Sequence, residues 1–156
     1  MATLAGGPTY AGFWRRFWAL LIDTIILNLA LAVVAVPVLL WAGISLDTDS
    51  LETDLAGWDN TAMAIAYAAN FLLWWLYFAL MESSSYQATL GKMVLSIKVT
   101  DMAGQRISFL RATGRTLAKI ISGAILLIGY IMAAFTERKQ ALHDIIAQCL
   151  VVRSRA

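Results

Sequence analysis

Across its 156 residues the chain has one cysteine, one histidine and two prolines, and only 14% of it is charged. Cys149 has no partner for an internal disulfide, and no cysteines and histidines stand at zinc-site spacing, so neither an oxidising compartment nor a metal is indicated. No His-Glu-x-x-His, nucleophile elbow or phosphate loop is present, and Gly91-Lys92 runs into Met93 without the upstream glycine such a loop needs. Enzymatic activity, a cofactor and a nucleic-acid partner are therefore not expected. The shortage of charge has the larger consequence. A soluble domain carries about a quarter of its residues as Asp, Glu, Lys and Arg. Here 60% are hydrophobic, which reads as an all-α integral membrane protein.

After a lead-in over 1–12, expected to be mobile, a single membrane domain is read over 13–152. Its first helix is placed at about 17–42 and its second at 61–81, each enough for the roughly 20 residues a crossing takes. The first follows Arg15 and Arg16, is much longer than a signal-peptide core and lacks a convincing small-x-small cleavage site, so it reads as a retained helix. The loop between them, 47–59, holds Asp47, Asp49, Glu52, Asp54 and Asp59 and no Lys or Arg. The linker 82–119 has the opposite character: Lys92, Lys98, Arg106, Arg111, Arg115 and Lys119 stand against Glu82 and Asp101. Lysine and arginine mark the cytoplasmic side, which gives a multi-pass membrane protein with a cytoplasmic N-terminus.

Within the linker, Leu95, Ile97 and Val99 alternate with Ser96, Lys98 and Thr100, a turn follows at 101–104, and 105–108 returns. That pattern predicts a short cytoplasmic β-hairpin. Arg111, Arg115 and Lys119 recur at four-residue steps on an amphipathic helix, and with Arg106 they are expected to touch anionic lipid headgroups. A third, shorter apolar segment, 120–135, is interrupted by Gly123 and Gly129. A full crossing would strand Arg138 and Lys139 outside, whereas a re-entrant hairpin turning near Gly129 would return them to the cytoplasm; both readings stay open. A C-terminal segment, 140–152, carries His143 and Asp144 and ends before Arg153 and Arg155.

Asp23 is the most informative position, since a carboxylate well inside an apolar helix costs about 2.5–3.5 kcal/mol on insertion scales and needs protein, water or a partner. Arg16 shares its helix face but lies about 10 Å away along the axis. A desolvated carboxylate there suits an ion or proton site; equally, it suits a fixed partner of basic groups that holds helices in register. Asp144 can fold back to Arg16 or to the Arg111 and Arg115 face, most simply as an ion pair. His143, the lone histidine, reads as satisfying a local hydrogen bond rather than binding metal, and Asn28 as an interhelical donor.

Several ordered motifs then resemble the RDD family of small bacterial membrane proteins. They are Tyr10, Gly12-Phe13-Trp14-Arg15-Arg16 leading to Ile22-Asp23, Thr89-Leu90-Gly91-Lys92-Met93 to Ile97-Lys98-Val99, Ser108-Phe109 with Arg111-Ala112 and Arg115, and Arg138-Lys139-Gln140-Ala141-Leu142-His143-Asp144. The resemblance implies that Arg16, Asp23 and Asp144 match the family's one Arg and two Asp. It also implies a transport-like role, with exchange of a monovalent cation such as Na+ for H+ proposed for some members, here supported by His143, Arg111, Arg115, Lys139 and Asn28. Two or three short membrane segments do not enclose an aqueous path, so transport would require a homo-oligomer or another membrane protein. The rival expectation is an accessory module for membrane-protein assembly or anionic-lipid binding. A cysteine placed at Ser154 should label from the cytoplasmic side and one at Ser50 from outside; labelling of position 154 from outside would remove the hairpin.

Overall fold

The computed structural model describes residues 9–41, 60–124 and 128–154. Two long helices carry the apolar runs: α1, Phe13–Trp41, which continues through Pro37, and α2, Asn60–Ser83. Within them Phe13–Pro37 and Ala64–Ser83 are long and apolar enough to cross a membrane, because 20 residues rise about 30 Å. Ile25, Leu29, Val33 and Ile65 on these stretches are more than half exposed, an arrangement that apolar side chains favour where the solvent is lipid. The acidic loop expected at 47–59 and the first eight residues of the lead-in lie outside the described residues. The described residues up to Asp23 and from Trp75 onward form one compact unit, and Thr24–Trp74 form a second. The polar residues discussed below belong to the first unit, except Asn28.

After α2 the chain forms a short helix α3, Leu90–Val94, and a strand β1, Ile97–Asp101. Helix α4, Phe109–Ala124, and helix α5, Ile128–Phe135, follow, and a second short helix α6, Leu142–Ile146, leads into strand β2, Cys149–Arg153. The expected β-hairpin is corrected here. β1 pairs antiparallel with β2, from Ile97 opposite Arg153 to Asp101 opposite Cys149, and 105–108 forms no strand. The turn at 101–104 does close, with the Asp101 N–H donating to the Gln105 carbonyl at 2.8 Å, but it delivers the chain to α4. On the other side of β2, the Ala11 N–H donates to the Val151 carbonyl and the Arg153 N–H to the Thr9 carbonyl, both at 2.8 Å. Residues 9–11 are therefore pinned to the sheet, a correction to a lead-in mobile through residue 12. Ile97, Val99, Cys149 and Val151 pack with Ala11, Ala19, Ala79, Ile107 and Ala112 into a small core.

The order long helix, helix, short helix, strand occurs twice, and from Gln87 onward the second half repeats the backbone of the first at a constant offset. Lys139 and Gln148, both with positive φ, stand 52 residues after Gln87 and Ser96, also with positive φ. The hydrogen bonds Gln87 N–H to Ser84 O, Met93 N–H to Thr89 O, Leu95 N–H to Gly91 O and Ser96 N–H to Met93 O recur at that offset. Their counterparts run from Lys139 to Thr136, Ile145 to Ala141, Ala147 to His143 and Gln148 to Ile145. Val99 pairs with Val151, again 52 residues on, so a two-fold axis passes between these residues. On α4, Arg115, Ala118 and Ser122 stand 99 residues after Arg16, Ala19 and Asp23 of α1. Contacts follow the same correspondence: Tyr77 and Gly91 meet Asp23, and Gly129 and His143 meet Ser122.

In the second half the helix pair is short. Ser122 and Gly129 would lie about 10 Å apart along one continuous helix, yet a Cβ on Gly129 would come within 2.8 Å of the Ser122 Cβ. Residues 120–135 are thus not one crossing helix, and α5, at eight residues, rises only about 12 Å. In the first half the equivalent close approach is at Gly91, where a Cβ would overlap the Ala19 carbonyl oxygen and press within 3.0 Å of the Asp23 carboxylate. Gly91→Ala should lower stability by about 1–3 kcal/mol through this overpacking. Gly114→Ala, where a Cβ on α4 meets nothing within 4 Å, should be neutral or gain about 0.5–1 kcal/mol. Thermal unfolding in detergent compares the two.

Candidate functional site

Short helices expose a problem that the site solves. The first N–H groups of any helix lack an internal partner, and α3 begins at Thr89, whose hydroxyl makes no capping bond to its own helix. That hydroxyl donates instead to Asp23 Oδ2 at 2.5 Å, while the Gly91 N–H donates to Asp23 Oδ1 at 2.7 Å. The Tyr77 hydroxyl donates to the same Oδ1 at 2.7 Å and accepts the Leu90 N–H at 3.1 Å. Asp23 is fully buried, and its three partners are all donors. It caps α3 from the neighbouring helix.

Asp144 solves the same problem for α6 and does more. Its Oδ2 accepts the Ala141 N–H at 3.1 Å, while the carboxylate sits between two arginines. Arg16 Nη1 pairs with Oδ2, and Arg115 reaches Oδ1 through Nε and Nη2, each at 2.8 Å. Arg16 is itself held at two further points, its Nε donating to the Ala11 carbonyl at 2.9 Å and its Nη2 to the Lys139 carbonyl at 2.5 Å. Arg115 continues the chain of charges, because Nη1 lies 2.5 Å from Glu82 Oε2. Glu82 Oε1 then takes Lys92, and Lys119 at 3.2 Å. One planar guanidinium thus joins two buried carboxylates along different edges, a geometry a lysine cannot reproduce.

The charges are buried: Glu82 and Asp144 are inaccessible, and Arg115 is 2% exposed. Burial disfavours ionised Asp144, but Arg115 and Arg16 outweigh it and hold the carboxyl below the usual range. Burial lowers Lys119 to about 7 against the pull of Glu82, with Lys92 and Arg115 adding to the fall. His143 is lowered to about 3, chiefly by burial, with Arg115 and Lys119 opposing the favourable effect of Asp144. It lies 3.3 Å from Ser122 Oγ through Nδ1, and its ring sits tilted at 56° to the Tyr130 ring with centroids 5.0 Å apart.

Of the residues singled out from sequence, Arg16, Arg115, His143 and Asp144 come together, and the main-chain carbonyl of Lys139 joins them. Asp23 stands in a separate set of contacts. Three expectations are corrected. Arg115 and Lys119 turn inward to carboxylates and are not free for headgroups; among the four expected headgroup residues only Arg106 and Arg111 are exposed. Arg111 lies 4.0 Å from Asp101 at the surface and takes no part in the network. Asn28, in the second unit, donates to the Thr24 carbonyl of its own helix at 2.8 Å rather than across helices. Sequence reasoning left out Glu82, Lys92, Tyr77 and Thr89. The available signal was that Glu82 is one of only two acids in a stretch with six cations.

His143 supplies a pH test. Its folded pKa lies below the unfolded value, so the unfolded chain binds the extra proton and stability falls as pH drops from 6.5 towards 3. Between pH 6.5 and 5, above the range where Asp144 protonates, unfolding in detergent should lose on the order of 1–2 kcal/mol. His143→Gln should flatten that slope.

Residues 10–148 match the RDD family. The chain is 36% identical over 146 residues to "Uncharacterized protein YxaI" of Bacillus subtilis (strain 168), covering 91% of this chain and 96% of that protein. It is 34% identical over 155 residues to "Uncharacterized membrane protein YteJ" of the same organism, covering 94% and 82%. No solved structure matches. A family match over most of the chain, two relatives above 30% identity and two membrane-length apolar helices lead to one assignment: this is a membrane protein that belongs to the RDD family.

Proposed function

We propose that the chain is an accessory module of the bacterial inner membrane, with its N-terminus on the cytoplasmic side, whose Arg/Asp network is a permanent lock and not an ion-carrying site. The observation that carries this reading is the environment of Asp23. A carboxylate offers about four acceptor directions, and three are taken by the Tyr77 hydroxyl, the Thr89 hydroxyl and the Gly91 N–H. A carrier for Na+ needs oxygen acceptors gathered around the ion, with a coordination position left open. Here donors surround the carboxylate, and the nearby charged groups are mainly cations. Asp144 and Glu82 are likewise engaged by basic side chains. The module would present its lipid-exposed helices to another membrane protein or a second copy while the lock holds their basic ends in fixed register.

The competing reading, exchange of a monovalent cation for a proton by a homo-oligomer, uses the same aspartate in the opposite sense and makes the opposite prediction. Proteoliposomes carrying the wild type, read with pH and cation dyes, should show no flux above protein-free vesicles. Asp23→Asn should lower stability in detergent by about 1–3 kcal/mol, because an amide nitrogen then faces donors. Wild-type flux that disappears in Asp23→Asn would overturn the lock in favour of exchange.

A further inference from the structure

The network's charges do not cancel. Arg16, Lys92, Arg115 and Lys119 bring four positive charges, while Glu82 and Asp144 within the network and Asp23 in its separate set of contacts bring three negative ones. With Lys119 protonated, one positive charge is left over among side chains that are buried or nearly so, and burial together with that surplus is what lowers Lys119. The shortfall is localised. Lys92 and Lys119 share a single oxygen, Glu82 Oε1, and each ammonium has three N–H donors. Lys119 otherwise rests on the face of Phe78, with Nζ 3.9 Å from the ring centre. A buried cation without a full complement of acceptors is costly, and an anion in reach relieves it.

There is room for one. All four cations line a half-open cavity of about 360 Å³, together with Asp23 and His143, and its walls are mainly apolar, among them Phe13, Phe17, Leu20 and Ile131. The volume is at the small end of ligand sites. That is the scale of one hydrocarbon chain and not of a two-chain lipid.

We infer that this cavity binds a single-chain carboxylate amphiphile, its head on Lys119 and Lys92 and its chain along Phe13, Phe17, Leu20 and Ile131. The ligand matches the cavity in sign, in its single charge and in its apolar wall. This inference rests on the membrane assignment and on the two ammonium groups that share Glu82 Oε1. It holds whether or not the protein carries ions, and it does not depend on the role given to Asp23.

The test uses the full chain in a neutral maltoside detergent. Dodecanoate should raise the unfolding temperature and bind saturably, and dodecanol, with the same chain and no charge, should bind at least about tenfold more weakly. Lys119→Gln should remove that preference. Because this variant disturbs Glu82, Ile131→Trp is the second arm: it leaves every charge in place, fills the cavity, and should abolish dodecanoate binding while the protein stays folded by circular dichroism. Equal shifts from dodecanoate and dodecanol, or wild-type dodecanoate binding by Ile131→Trp, would overturn the site. Stronger protection by a two-chain anionic phospholipid in nanodiscs than by dodecanoate would overturn the single-chain assignment.

Discussion

Arg115 is the residue on which the network turns, because it gives two inaccessible carboxylates one cation. Removing a carboxylate from water costs several kcal/mol even after relaxation, and attraction repays that only when hydrogen bonds fill the remaining lone pairs. Asp144 meets the condition through Arg16, Arg115 and the Ala141 N–H; Glu82 meets it through Arg115, Lys92 and Lys119. Each carboxylate belongs to a different part of the chain, one at the end of α2 and the other in the first turn of α6. The guanidinium between them on α4 therefore ties three elements that the sequence separates. Without it both carboxylates would keep their burial and lose a shared counter-charge, which is more damaging than losing one ion pair at a surface.

The two-fold repeat explains why such charges are needed where they are. Each half ends in a short helix of five residues followed by a strand. Five residues cannot stabilise themselves, since nucleation is unfavourable and most of their N–H groups are orphans. Their stability comes from turns closed at the C-terminus by the Ser96 and Gln148 N–H groups and from acceptors supplied at the N-terminus. In the first half Asp23 and Tyr77 supply them from the long helices. In the second half Asp144 supplies one from within the short helix.

How much of this was legible follows from the range over which each signal acts. The two long helices are written in continuous apolar runs, and the burial of Asp23 follows from its place in one of them. The meeting of Asp144 with Arg16 and Arg115 was among the open pairings because buried acids and arginines have few other choices. The strand β1 was legible from the alternation of Leu95 to Thr100, but its partner was not. β2 is the run Cys-Leu-Val-Val, buried and without alternation, and such a run looks the same in a strand and in an apolar helix. The cations at 111, 115 and 119 misled for a geometric reason. Steps of four residues drift by about 40° each on a helix, so the stripe winds from the surface at Arg111 into the interior at Lys119. Glu82 escaped because an acid at the end of an apolar helix ordinarily marks the water boundary. The repeat escaped because the identities it keeps, such as Arg16 with Arg115, Ala19 with Ala118 and Val99 with Val151, are few and fall at two different offsets.

That chemical divergence is itself constrained. Positions 92 and 144 are related by the two-fold axis, and both lie in the network around Arg115 and Glu82, yet one is lysine and the other aspartate. Two identical halves would place either two aspartates or two lysines in that region, doubling one sign of charge where water does not screen it. A single chain can put opposite signs at equivalent positions and keep the sum close to neutral. The same freedom places Asp23 opposite Ser122 and Tyr77 opposite Gly129, so only the first half carries a second buried carboxylate with its own donors. The duplicated backbone supplies two anchoring points for helix ends, and the differences between the halves let both be buried together.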